Sequence, residues 1–342
     1  MPMKLQTVVE LPKVDFLIRP EDRVMMLGSC FSDRIGERFA HAFVRVLSNP
    51  FGTLYNPASV AAVLRLTLGF MASGELPDDM FYLHRDGMWY SYMHDVKFAR
   101  RDKAECREAV LRSVESVAEF LRSIDVLFVT FGTRRVYSLA SRCGYVVSNC
   151  HKMPADTFVE TDLGVAEIAS AWIDLVGELA AVNPRIRVVF TVSPFRYIKY
   201  GLHGSALSKA ALLLAIDDIV KALPGRACYF PSYEIVNDEL RDYRFYEPDM
   251  LHPTRQTSDY IWERLGEWLF ADDMHLYIKE GERISAALAH RNMGADAAAH
   301  LKFLLATAER IDRFKAQYPF APTEEAAAML SERIRMTKEL LL

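Results

Sequence analysis

The apolar positions of this chain fall into short continuous runs separated by longer stretches with helical spacing. Arg23-Val24-Met25-Met26-Leu27 is the first run, and it ends in Gly28-Ser29-Cys30. It reads as a buried strand entering a tight turn. Behind it Ile35, Phe39, Phe43 and Val46 recur every three or four positions, which predicts a helix with one apolar face. Further buried-strand candidates are 126–131, 187–192 and 227–230, each preceded by a helical stretch at roughly 103–123, 162–182 and 205–222. Strand, small-residue turn and helix in alternation predict a doubly wound α/β fold, its parallel sheet covered on both faces.

Other stretches break the alternation. Residues 80–99 are rich in aromatics and carry Asp86-Gly87, so they read as a hairpin inserted outside the sheet. A second hairpin is expected at 135–148, with Gly144 in its turn. From about 256 onward the pattern is helical. Ala286, Ala287, Ala289 and the run from Ala295 to Ala299 favour helix, Pro319 and Pro322 interrupt it, and Thr323 is placed to cap a last helix. The expected organisation is a catalytic domain over 1–272 and a helical extension over 273–342, free to cover the site or to form a homo-oligomer interface.

Composition narrows the class. The 342 residues are 51% hydrophobic and 25% charged, ordinary for a globular protein. A net charge of -4 with both signs dispersed gives no footing for nucleic acid or an anionic membrane. The opening MPMKLQTVVELPKVDF has no apolar run behind a positive start, so no secretory signal is expected. The five cysteines are odd in number and scattered, and no CxxC pair occurs. Reduced cysteines in a cytoplasmic protein fit this pattern better than a disulfide framework. No HxH, HxxxH or HExxH spacing exists, so no metal is expected.

Candidate chemistry gathers at a few turns. Ser29 and Cys30 stand between a strand and a helix, where free amide groups and a partial positive charge favour a thiolate and an oxyanion. A thiol there can be a nucleophile, and a serine there needs a neighbouring base. Burial as a small apolar residue is the competing fate of Cys30. In Asp249-Met250-Leu251-His252-Pro253 a carboxylate stands three residues before a histidine, close enough to fix its tautomer and leave the other nitrogen as a base. A surface pair or helix cap is the alternative. Gly52, in the turn Asn49-Pro50-Phe51-Gly52, offers a backbone N–H for an oxyanion, while Asn56 before Pro57 reads as a helix cap. Gly132 closes a strand where a ligand could approach. Asn149 offers an amide donor, and His151 and Lys152 offer groups for a substrate's negative end.

These pieces together resemble one family. Leu27-Gly28-Ser29-Cys30-Phe31-Ser32 resembles the signature of GSCFA-domain proteins, with Ser32 where alanine is usual. Asn49-Pro50-Phe51-Gly52 with Asn56-Pro57 looks like the second block, and Thr130-Phe131-Gly132-Thr133, Asn149-Cys150-His151-Lys152, Val192-Ser193-Pro194 and Ser208-Lys209 look like the central ones. Residues 238–246 followed by Asp249 to Pro253 look like the last. The resemblance covers about residues 5–270 and leaves out the helical tail.

GSCFA domains are similar to SGNH (GDSL-type) hydrolases. The resemblance therefore implies a flavodoxin-like three-layer α/β/α sandwich and esterase or acyltransferase chemistry. Position by position, Cys30 rather than Ser29 falls on the nucleophile, Asp249 and His252 fall on the last block, and Gly52 falls near the second-block glycine. The third block departs, because Arg134 stands where an oxyanion asparagine is expected, and Asn149 is the candidate replacement. The expected activity is acyl transfer, probed as acetyl, to or from a saccharide or other small hydroxyl compound. No resident cofactor is expected, with an acyl-CoA as one option for co-substrate. The alternative is a non-catalytic carbohydrate- or nucleotide-binding module, motivated by the basic pair Arg134-Arg135 and the missing asparagine.

Overall fold

Arg23–Gly28 (β1) is the centre from which the sheet is built. Its burial is nearly complete because both faces are covered. Cys30–His41 (α1) follows at once, with Ser29 as N-cap. The structure is a computed structural model, and it describes residues 6–290 and 296–341. Met1 to Leu5 of the opening segment and Ala295 of the alanine run lie outside the described residues.

The helix expected to run through Phe43 and Val46 stops at His41. Phe43 has φ 59°, and Arg45–Ser48 forms a strand, β2, parallel to β1. The four apolar positions thus belong to two elements. Chain reversal in the left-handed region ends the helix, and Val46 reaches the same apolar cluster from a strand.

Pro57–Ser73 (α2) is capped by Asn56, whose Oδ1 accepts from Ser59 N at 2.8 Å. Phe81–Leu83 (β3) and Trp89–Ser91 (β4) form a separate antiparallel ladder. Lys103–Leu121 (α3) leads to Val126–Phe131 (β5). Arg135–Leu139 (β6), Val146–Val147 (β7) and Phe158–Asp162 (β8) make a small antiparallel sheet in the order β7-β6-β8. Val165–Val182 (α4), Arg187–Val192 (β9), Gly201–Ala222 (α5) and Ala227–Tyr229 (β10) complete the alternation. Ser232–Glu234 (α6) runs into a π-helical turn over Ile235–Leu240.

The main sheet has five parallel strands in the order β10-β9-β5-β1-β2. Counted along the chain this is 2-1-3-4-5, the flavodoxin-like order, whose direction reverses between β1 and β5. Alternate residues serve opposite layers. Met25, Leu27, Leu127, Val129, Val188 and Phe190 pack with α2, α3, α4 and α5. Val24, Met26, Val126, Phe128 and Val189 pack with α1 and with Arg255–Leu269 (α7).

The last helices are Asp272–Ala289 (α8), Ala297–Gln317 (α9) and Glu324–Glu339 (α10). They join the layer of α1 and α7: Tyr277, Ile284, Leu304, Phe314 and Leu330 share one apolar cluster with Phe39 and Trp262. Thr323 precedes α10, but its side chain makes no capping bond and its hydroxyl is buried without a partner, so its expected capping role is not realised. Among the described residues no helix is long and apolar enough to cross a membrane.

Candidate active site

The carboxyl ends of β1, β5 and β9 and the loop before α7 surround one cavity of about 350 Å³. Its position is the switch point of the strand order, where open α/β sheets leave a crevice. Cys30 and Ser29 line it from the first turn, Gly132 and Thr133 from the end of β5, Asn149 from the segment after β7, Ser193 and Phe195 from the end of β9, and His252 from the last loop.

The turn carrying Cys30 is set by Gly28. Its φ of 142° lies outside the range L side chains adopt readily, and a Cβ there would overlap the Thr130 carbonyl of the neighbouring strand. The Gly28 N–H donates to Asn49 Oδ1 at 2.9 Å, and Asn49 Nδ2 donates to Asp33 Oδ1 at 2.8 Å. Asn49 therefore ties the turn to the next loop.

Ser29 Oγ accepts from Phe31 N, and Ser29 O accepts from Ser32 N. Its hydroxyl caps the helix. The Cys30 N–H has no backbone partner, as expected of the first helical position. Burial pushes the Cys30 thiol above its usual range, and the Asp33 carboxylate adds to that. At rest the residue is a thiol that needs a base.

The base is shaped by a short loop. Asp249 Oδ2 faces His252 Nδ1 at 2.5 Å, and Asp249 Oδ1 accepts from the backbone N–H of Leu251 and His252 at 2.8 and 3.0 Å. The backbone bond from His252 leads the effects, ahead of the ring and Leu251 bonds, that hold the Asp249 carboxyl down to about 2. Because a carboxylate only accepts, Nδ1 carries the proton and Nε2 of the neutral ring is the free base. The Phe195 ring stands 4.5 Å from the imidazole, and Arg196 N donates to Leu251 O at 3.0 Å. The loop after β9 thus positions the histidine. No hydrogen bond joins His252 to Cys30 or Ser29 among the described residues; the groups share the cavity. Such contacts are commonly loose before substrate binds.

Two of the expected anion-binding residues do not serve that role. The Gly52 N–H already donates to Asn49 O at 2.9 Å, and a Cβ on Gly52 would overlap the Asp95 carboxylate, so this glycine allows close packing and does not face the cavity. His151 is 7% exposed and used at both nitrogens. Its Nε2–H donates to His94 O at 3.0 Å, and its Nδ1 accepts from the Tyr82 hydroxyl at 2.7 Å. Burial lowers its pKa to about 4, so it is a neutral strut beneath the hairpins, not an anion reader. Gly132 does line the cavity, but its N–H donates to Tyr55 O at 2.8 Å. It shapes the wall and supplies no donor. Asn149 Oδ1 accepts from His151 N at 2.8 Å, which leaves its Nδ2 as an available donor on the cavity side.

The rim is aromatic and its charges are internally matched. Tyr55, Tyr137, Phe195 and Tyr197 line the opening. Arg134 pairs with Asp162 at 3.2 Å, and Arg135 reaches Glu160 at 3.0 Å and Asp162 at 2.9 Å. The basic pair that suggested nucleotide binding is therefore engaged by the facing strand β8. Among the described residues no group of His, Cys, Asp or Glu is arranged to hold a metal ion.

The family model described as the GSCFA family matches residues 23–265. The chain belongs to the GSCFA family. A second model, described as the C-terminal domain of GSCFA domain proteins, matches residues 282–336 of this GSCFA chain. No curated protein matches it. Among solved structures it is similar to a carbohydrate esterase family 3 from Talaromyces cellulolyticus, at 9% identity and a TM-score of 0.35, over 76% of this chain and 99% of that one. At that score the likeness carries no argument about the site.

Sequence reasoning passed over one residue of this GSCFA site. Lys209 was noted only as part of a central block. It is 2% exposed on α5, and its Nζ donates to Gly132 O and Ser193 O, both at 2.7 Å. A lysine inside an apolar helical pattern is the signal that was present, but only the tertiary structure names its partners.

Proposed function

We propose that this cavity carries out acyl transfer through Cys30, with His252 as base and Asp249 as the group that orients it. The observation that carries the reading is the oriented Asp249–His252 pair facing the same cavity as a thiol on the first turn of α1. His252 Nε2 takes the proton from Cys30 Sγ, and the sulfur attacks the carbonyl carbon of an ester or thioester. The oxyanion that forms is met by the Cys30 N–H and Asn149 Nδ2. His252 then gives its proton to the departing alkoxide or thiolate, leaving an acyl group on Cys30. A water or hydroxyl acceptor loses its proton to Nε2 and attacks the thioester. Collapse releases acid or a new ester, and His252 returns the proton to Sγ.

The aromatic rim, with its arginines already paired, suits a neutral, hydroxyl-rich acceptor such as a saccharide better than a polyanion. A thiol nucleophile exchanges readily with a thioester, so an acyl-CoA donor belongs to the same proposal. Ser29 is the less suited nucleophile because its hydroxyl caps α1.

The test is acyl-enzyme trapping. The protein is mixed with p-nitrophenyl acetate, or with acetyl-CoA and a sugar acceptor, and the Cys30 peptide is weighed by mass spectrometry. Acetyl on Cys30, with turnover lost in Cys30→Ala and in His252→Ala, is the expected result. Full turnover in Cys30→Ala would overturn the assignment.

A further inference from the structure

A protonated lysine has three N–H donors, whereas a neutral one has two and a lone pair. Lys209 Nζ has two acceptors, the carbonyls of Gly132 and Ser193 at the ends of β5 and β9. Among the described residues it makes no other hydrogen bond and pairs with no carboxylate. The groups that face it are Cys30 from α1 and, at 6.0 Å, the ring of Tyr233 from α6. The two carbonyls match the neutral amine. A buried ammonium would keep one N–H without an acceptor and one charge without a counterion, both costly. The group that can supply that counterion is a thiolate at Cys30.

We propose that Lys209 is a positioning residue that acts through Cys30, as a second resting place for the thiol proton. This rests on the reading of Cys30 as nucleophile. While the proton is on Sγ, Nζ is a neutral amine. When the proton is on Nζ, Cys30 is a thiolate beside an ammonium, and the buried floor of the cavity has no net charge in either state. The two groups lose their first proton as a pair. Burial lowers Lys209 to about 7, and a thiolate at Cys30 pulls it back up, which agrees with this coupling. His252 then remains free to serve the leaving group and the acceptor. The same ammonium, hydrogen-bonded to Gly132 and Ser193, holds together the two walls that carry the β5 and β9 loops.

The test reads Cys30 itself and needs no substrate. The full-length protein is alkylated with iodoacetamide across neutral to alkaline pH, and the Cys30 peptide is quantified by mass spectrometry. Wild-type Cys30 is expected to become reactive through neutral pH. Lys209→Met, which keeps the stem, and Lys209→Gln, which keeps two N–H donors, are expected to move that reactivity up. The rate at neutral pH should fall about tenfold for each unit of the shift. His252→Ala is expected to keep a neutral inflection. Wild-type profiles in both folded Lys209 variants would overturn the proposal. So would loss of the neutral inflection in His252→Ala, a result available even if neither Lys209 variant folds. The alkylation profile and the acyl-enzyme test are independent, so the pairing can fail while Cys30 still carries acyl groups.

Discussion

Asp249 holds His252 at both ends of one carboxylate: Oδ2 faces Nδ1 at 2.5 Å, and Oδ1 accepts the histidine's own backbone N–H at 3.0 Å. One side chain therefore fixes the ring's tautomer and the loop that presents it. Asp249→Asn keeps the shape, but its amide can offer an N–H to Nδ1 and turn the proton to Nε2. Turnover is expected to fall by up to about 10⁴-fold, the loss typical when a triad carboxylate becomes an amide. Steady-state kinetics beside His252→Ala measure it, and near-wild-type turnover would remove Asp249 from the mechanism.

Asn149 Nδ2 is the side-chain donor left to meet an oxyanion now that Gly52 and Gly132 are accounted for. Asn149→Ala is expected to lower kcat about 10²–10³-fold with little change in KM, because the donor acts on charge that develops in the transition state. A rise in KM at unchanged kcat would make Asn149 a substrate-binding residue instead.

Lys209 also predicts a pH dependence of stability. Burial lowers it from 10.5 to about 7 in the folded protein. Between those values the unfolded chain binds a proton that the folded chain does not. Stability should therefore rise with pH from about 7 to 10.5, and the burden is complete below that window. Urea midpoints across the range, for wild type and Lys209→Met, isolate the contribution: the variant's curve should lack this rise, and parallel curves would refute it.

Gly28→Ala is expected to cost about 2–6 kcal/mol, from a strained φ and from overlap with the Thr130 carbonyl. Equilibrium unfolding checks this. A loss under about 1 kcal/mol would mean that the turn relaxes more easily than its packing implies.

Gly281 lets α8 lie against the turn that ends α1, where a Cβ would overlap the Ala42 carbonyl. Tyr277 and Ser285 hydroxyls donate to Phe43 O and His41 O in the same contact, each at 2.5 Å. Gly281→Leu is expected to destabilise the protein by about 1–3 kcal/mol by overpacking. Urea denaturation of the full chain reads the loss, and an unchanged midpoint would show that the helices dock without this approach.

Much of the site was legible in the order of residues. Gly28-Ser29-Cys30 after an apolar run, and a carboxylate three residues before His252, are local patterns. Turn chemistry and short-range hydrogen bonding shape them within a few residues. Asn56 before Pro57 announced its cap for the same reason. The alternation of apolar runs with helical spacing likewise determined the α/β class, since a strand buried on both faces has to be continuously apolar.

The tertiary structure decided what depends on partners far away in sequence. Periodicity carried α1 through Phe43 and Val46, because an apolar residue entering a strand and one continuing a helix look alike over so few positions. Gly52 looked available until its N–H was seen on Asn49 O, and His151 until both ring nitrogens were seen engaged. Lys209 looked like one more helical residue, yet two carbonyls from separate strands hold it beneath Cys30. Whether a donor is free or a charge is buried is a property of the whole set of neighbours, and folding alone assembles that set.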